Sequence, residues 1–376
     1  MVKNIYKEIQ LSLPYRKLFN EIIVEICIRP SEIGAVREYQ VYDLVVNTNN
    51  SDNEDLNNQV TVFINNVKSK MEKDRFQERN WKLFYLLKEI LQGFVTTGNE
   101  RGFNYFRGQA KDWELTPGIF RPDTSEKFIE NFENIYKNIS YEYPTEIKYV
   151  EYSREELDSR SKQLSVLQHY GLRTSLIDVT KNPYIALLFM VSDNSKADFN
   201  GGTLDLYRID EDLHATNNIF MPVAKSNNNK RLTAQKGAFF NYDMLFDLKQ
   251  TEIEPIDRII LKVMYSPERI REYLNKQNDS IISQALKNLD TELKKGSPEY
   301  NGIKEAIIAM RDQNIVLLEN VDELGEEIFS SLREEIKVKL EEYFYFERNL
   351  FPDLDKYIDY LQTSYIGSPS RKKINS

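Results

Sequence analysis

The stretch from Asn182 to Val191 constrains the fold more than any other part of the chain. Asn182 and Pro183 form an N-cap and first-turn pair, and the helix they open, Tyr184 to Val191, is apolar around nearly its whole circumference. Such a helix has to be buried on nearly all sides. Before it, Thr174 to Val179 reads as a short buried strand. Earlier still, the Ser153/Glu156 spacing of a capping box opens a helix that carries Leu157, Leu164 and Leu167 and stops at Gly171. Thr203 to Ile209 and Ile259 to Tyr265 are the clearest strands, because aliphatic and aromatic residues alternate or run together between turn signals. Phe103 to Arg107 reads as another, ended by Gly108. The middle third is therefore mixed α and β.

The flanks carry helical spacing. From Ile5 to about Arg37, Leu18, Ile22, Ile23, Ile26 and Cys27 share one stripe. Asn47 to Asn58 is a polar stretch that reads as a loop between two helices, Val60 to Val67 resumes apolar spacing, and Trp81 to Phe94 forms a strongly amphipathic helix. The first hundred residues are thus expected to be helical. Beyond Ser266 the chain turns helical again, and Leu324, Ile328, Leu332, Ile336 and Leu340 recur at every fourth position as a core stripe or helix seam. The tail from Ser368 is basic and polar.

With 376 residues the chain has room for two or three units, and 41% hydrophobic with 12% aromatic residues supplies apolar surface for a core. Fifty Lys and Arg against 59 Asp and Glu give −9, so a nucleic-acid contact would need a local basic patch. Lys225, Lys230 and Arg231 are one candidate, and Arg154, Arg160, Lys162 and Arg173 another; both read first as solvated surface. Cys27 is the single cysteine, which excludes an internal disulfide and paired-thiolate zinc sites and fits a reducing compartment. His169 and His214 are the only histidines, so no three-histidine metal site exists and no metal is assigned. The N-terminus lacks a signal-peptide core, and the longest apolar run is too short to span a bilayer. A cytoplasmic protein without membrane association is expected.

No common nucleotide, protease, hydrolase or kinase motif is present. What remains is a polar density in the mixed region. Arg107, Gly108 and Gln109 end a strand with a guanidinium suited to phosphate or carboxylate, beside a glycine that lets the backbone approach a ligand. Gln168 to Thr180 packs Gln168, His169, Thr174, Ser175, Asp178 and Thr180 between a capped helix and a buried one. Asp178 in a buried strand needs donors, and Arg107 is the expected one. Structural alternatives stand beside this: Asp178 and Thr180 as caps of the next helix, and His169 as a partner of its helix dipole.

At these residues the sequence resembles the FRG domain family, named for its Phe-Arg-Gly motif. The matching residues are Phe106 to Gln109, Trp113, Leu115, Phe120-Arg121, Gln168 to Gly171, Thr174, Leu176 to Thr180, Pro183 and Ala186 to Phe189. Further matches are Arg231, Gln235 to Phe239, and Leu350 to Asp355. Arg173-Thr174-Ser175 and Val179 depart from the family pattern. The resemblance divides the chain into an N-terminal helical region (1–98), an FRG core (99–276), a helical insertion (277–345) and the end of the core with the tail (346–376). The fold class expected is α+β, with a small mixed or antiparallel β core.

The order of elements is similar to that of ADP-ribosyltransferases. That likeness implies an NAD substrate whose phosphates lie on Arg107, with Gly108, Gln109, Gln168, His169, Thr174, Ser175 and Thr180 around it. The catalytic carboxylate is the open point. The expected place offers Gln235, which carries no charge to face an oxocarbenium-like transition state, so Asp178, or Glu252 and Glu254, are the other candidates. An acceptor that is a protein, a nucleic acid or water (the last making it an NAD glycohydrolase), a protein partner bound through the helical regions, and a role in phage defence or as a toxin follow from that reading. The alternative is a sensor module that binds a nucleotide or other phosphorylated ligand without turning it over.

Overall fold

The computed structural model describes residues 4–31, 39–75, 82–95, 102–192, 201–222 and 237–347. Its strands are β1 (Phe19–Pro30), β2 (Tyr39–Asn50), β3 (Tyr105–Gln109), β4 (Leu176–Thr180), β5 (Thr203–Arg208), β6 (Phe220–Pro222), β7 (Gly237–Asn241) and β8 (Ile256–Met264). They form one sheet in the order β2-β1-β8-β5-β3-β4-β7-β6. Only the β1–β8 pair is parallel. The fold is α+β with a mixed sheet, as the sequence implies.

The N-terminal hundred residues are not the expected helical region. They contain the helices Ile5–Ser12, Glu54–Arg75 and Leu83–Phe94, but also the long strands β1 and β2. The stripe read from Leu18 to Cys27 is a strand: Ile22, Val24, Ile26 and Ile28 are fully buried with period two. β-Branched side chains crowd a helix and fit a pleated sheet. Because β1 is covered on both faces, Ile23 and Cys27 add apolar residues between those positions and blur the alternation. Cys27 is buried, as a small core residue should be. The Asn-rich stretch is likewise no simple loop: β2 runs to Asn50 at the sheet edge, and the next helix starts at Glu54. A polar edge strand discourages pairing with another chain.

Two apolar layers cover the sheet. On one face lie Glu54–Arg75, Leu83–Phe94, Pro183–Val191 and Gly325–Glu342, packed with Ile26, Phe106 and Leu204. Ile5–Ser12, Glu126–Glu142 and Leu157–His169 cover the other with Tyr105, Val179 and Tyr207. The Pro183–Val191 helix is buried as its composition demands, with Asn182 Oδ1 accepting from Tyr184 N at 3.0 Å. Residues 277–345 are mainly helical, and Ile328, Leu332, Ile336 and Leu340 of the expected stripe are buried. Among the described residues no helix is long and apolar enough to cross a membrane.

Gly108 has a structural duty that differs from ligand approach. A Cβ there would lie 1.8 Å from the Ala186 carbonyl oxygen, so the glycine lets the Pro183–Val191 helix sit directly on β3. Gly108→Ala is expected to cost about 1–3 kcal/mol by overpacking. A urea titration checks this: the midpoint should fall with little change in slope, and an unchanged midpoint contradicts the seating of this helix.

Candidate functional site

β3 pairs with β5 along its whole length, but with β4 only where Phe106 faces Thr180. Beyond that pair the backbone groups on the open edges of β3 and β4 need other partners. Arg107 supplies one. Its Nη1 donates to the Asp178 carbonyl at 2.8 Å, and its Nε donates to Gln109 Oε1 at 3.2 Å. The expected Arg107–Asp178 ion pair is therefore replaced by a guanidinium-to-carbonyl bond.

The Asp178 carboxylate is held instead by Gln168, whose Nε2 donates to Oδ2 at 2.8 Å. Gln168 Oε1 in turn accepts from Thr174 Oγ1 at 2.7 Å, and that hydroxyl also accepts from Leu176 N at 3.3 Å. Both ends of the Gln168 amide are thereby fixed. Gln109 is buried; its Nε2 donates to the Trp113 carbonyl at 2.9 Å while its Oε1 orients Arg107. It is a positioning residue between the strand and the 110–118 loop.

Arg107, Gln168, Thr174 and Asp178 line one cleft of about 240 Å³, closed by Thr116 to Gly118, Arg121 and Gly171 to Arg173. The turn at Pro117-Gly118 brings this wall into place, with Ile119 N donating to the Thr174 carbonyl at 3.1 Å. Gly118 lies so close to Arg173 that a Cβ would sit 3.2 Å from its Cα.

The sequence reading did not count Arg121 and Arg173 as site residues, yet both stand beside Arg107. Arg173 forks onto Asp123, Nη1 to Oδ1 at 2.8 Å and Nη2 to Oδ2 at 2.6 Å, and these bonds raise its pKa. The Arg121 side chain has no hydrogen-bond or ion-pair partner among the described residues and is exposed. Its pKa is lowered, first by partial burial and then by the like charges of Arg107 and Arg173, against the opposing attraction of Asp123. An anion placed among the three guanidiniums would reverse the repulsive part of that shift. The signal for Arg121 was its place directly after the Pro117–Phe120 turn that folds back on Thr174.

Other candidates lie elsewhere. Ser175 is fully buried, its hydroxyl has no partner among the described residues, and its carbonyl accepts from Tyr242 N at 3.0 Å. Thr180 Oγ1 accepts from Asn182 N at 3.1 Å, just before the buried helix whose N-cap is Asn182 itself, and Thr180 does not line the cleft. His169 ends its helix with its ring 5.4 Å from that of Tyr170, and it does not line the cleft. Glu252 caps its own turn, Oε2 accepting from Lys249 N at 3.1 Å. Glu254 is bound through its backbone to Asn217 and Asn218. Both glutamates are exposed before β8, and neither lines the cleft. Gln235, Lys225, Lys230, Arg231 and the Leu350 to Asp355 motif lie outside the described residues. The other basic patch is broken up, because Arg160 is wholly buried.

A family model for the FRG domain matches residues 103–199. That span contains β3, the guanidinium cluster, β4 and the buried helix after it. No curated protein and no solved structure matches the chain.

Proposed function

We propose that the Arg107 cleft binds a phosphate-bearing small molecule, a nucleotide among the candidates, and that the chain works as a ligand-responsive module. Arg121 carries this reading: a guanidinium without a partner stands beside two others at the edge of a cleft. Planar forks of this kind suit phosphate oxygens, which accept two parallel hydrogen bonds. Thr174 and Gln168 add neutral polar atoms, and the Asp178 carboxylate is already engaged by Gln168.

Calorimetric titration with pyrophosphate, ADP and NAD tests the proposal. At least one should bind saturably, and Arg121→Ala should weaken it about 10-fold or more, the worth of one charge-assisted hydrogen bond. Binding that is absent, or indifferent to this exposed substitution, sinks the reading.

Turnover of NAD is the second reading. It draws on Asp178, the one carboxylate among the residues that line the cleft with Arg107. Facing the ribose, that carboxylate would stabilise positive charge as the glycosidic bond breaks. Nicotinamide release by the wild-type chain, abolished by Asp178→Asn, would support it; NAD binding without release would leave the sensor alone. A toxin or defence role belongs to this second reading only, with growth arrest on expression as its readout.

A further inference from the structure

A wider cleft of about 1140 Å³ shares the Thr116–Pro117 wall with the guanidinium cleft. Strand register explains why the two are neighbours. Arg107 pairs with Asp205, Gln109 with Thr203, and Tyr207 with Arg258, so these side chains all project from one face of the sheet.

Thr203 and Arg258 line the wide cleft and are 1% and 5% exposed. Arg258 is held by Asp205, Nη2 to Oδ2 at 2.7 Å, and by Glu21. Among the described residues its Nε has no hydrogen-bond partner, and neither has Thr203 Oγ1. Two buried polar atoms without partners on one cleft wall are costly unless something completes them. They offer a donor, and a hydroxyl that can donate or accept. At the mouth stand two aromatic side chains, Trp113 at 52% and Tyr15 at 80% exposure. Gln109 anchors the Trp113 backbone, and the Lys111 ammonium lies 5.9 Å from the indole ring centre.

We infer that the wide cleft takes the nucleoside part of the ligand whose phosphates the guanidinium cleft holds. A base has a flat π-face for Trp113 or Tyr15 and a polar edge for Thr203 and Arg258. The shared wall with a phosphate-suited site favours a nucleotide over a free sugar. The inference deepens the phosphate-binding proposal and rests on it for the link between the two clefts, but the nucleoside end can be measured by itself.

The test titrates the full chain with adenosine, guanosine, cytidine and uridine, and separately with pyrophosphate. At least one nucleoside should bind, and Trp113→Ala should weaken it by about 10- to 100-fold, the range for loss of base stacking. Thr203→Val, which keeps the side-chain shape, should weaken it by about 10-fold. Neither substitution should change pyrophosphate affinity, whereas Arg121→Ala should change that affinity alone. If all four nucleosides fail while pyrophosphate binds, the nucleoside cleft is refuted and the phosphate site stands. Nucleoside binding indifferent to both cleft substitutions refutes it too.

Discussion

Asp243→Ala is expected to destabilise the fold by about 3–5 kcal/mol, the cost of leaving a buried charge without its partner. Arg160 and Asp243 are each 0% exposed in their side chains, with Arg160 Nε donating to Asp243 Oδ2 at 2.8 Å. The rest of the guanidinium is also engaged: Nη1 donates to the Val150 carbonyl and Nη2 to the Tyr6 hydroxyl, both at 2.7 Å, and Glu133 forms a second ion pair. This network ties the first helix of the chain to the Leu157–His169 helix and to the turn after β7. Removing Asp243 keeps the positive charge inside but leaves it only Glu133, which is 31% exposed and screened by solvent. Removing charge from both buried partners, as in Arg160→Met with Asp243→Leu, should cost less than Asp243→Ala alone, because the one charge left without its partner, Glu133, is 31% exposed and can be hydrated. Urea midpoints of the three chains decide the matter. A loss below about 1 kcal/mol for Asp243→Ala would place the pair in the class of exposed salt bridges.

Arg160 also shows where the sequence was silent. In sequence it stands among Arg154, Lys162 and Arg173, and a charge run of that kind reads as solvated surface. Nothing local reveals that Glu133 and Asp243, far away in the chain, meet it in the interior. The same limit applies to β1. Its Ile and Val content favoured a strand, but burial on both faces mixed the apolar positions until a helical stripe fitted as well. Elements whose environment is local were legible: the Asn182 cap, the Gly171 stop (φ +92°), the buried helix and the core strands β4, β5 and β8. Arg107, Gln168, Thr174 and Asp178, which line one cleft, were legible as a candidate site because motif density marked them. The identity of each contact was not. Gly108 faces a helix carbonyl, Asp178 faces Gln168, and Arg121 joins the cleft through a turn whose closure depends on β4.

Arg107→Ala is expected to weaken binding of the phosphate-bearing ligand by about 100-fold, near the upper end for loss of a charge-assisted bond. Its effect should exceed that of Arg121→Ala for a geometric reason. The Arg121 guanidinium is not held in advance, whereas Arg107 is a fork fixed at two points, the Asp178 carbonyl and Gln109 Oε1. Fixing it beforehand removes the entropy that a free side chain would lose on binding. It also keeps β3 and β4 at the spacing that forms the cleft, beyond the single pair that joins them. Arg107→Lys separates these contributions. A lysine restores the charge but not the planar fork, so only part of the affinity should return. Gln109→Leu should leave the charge in place and loosen its orientation, giving a smaller loss whose dependence on salt matches that of the wild type. Arg107→Ala itself should flatten the salt dependence, since one fewer cation faces the ligand. Equal affinity in Arg107→Ala and wild type, with both chains folded by circular dichroism, would remove Arg107 from the site and the phosphate reading with it.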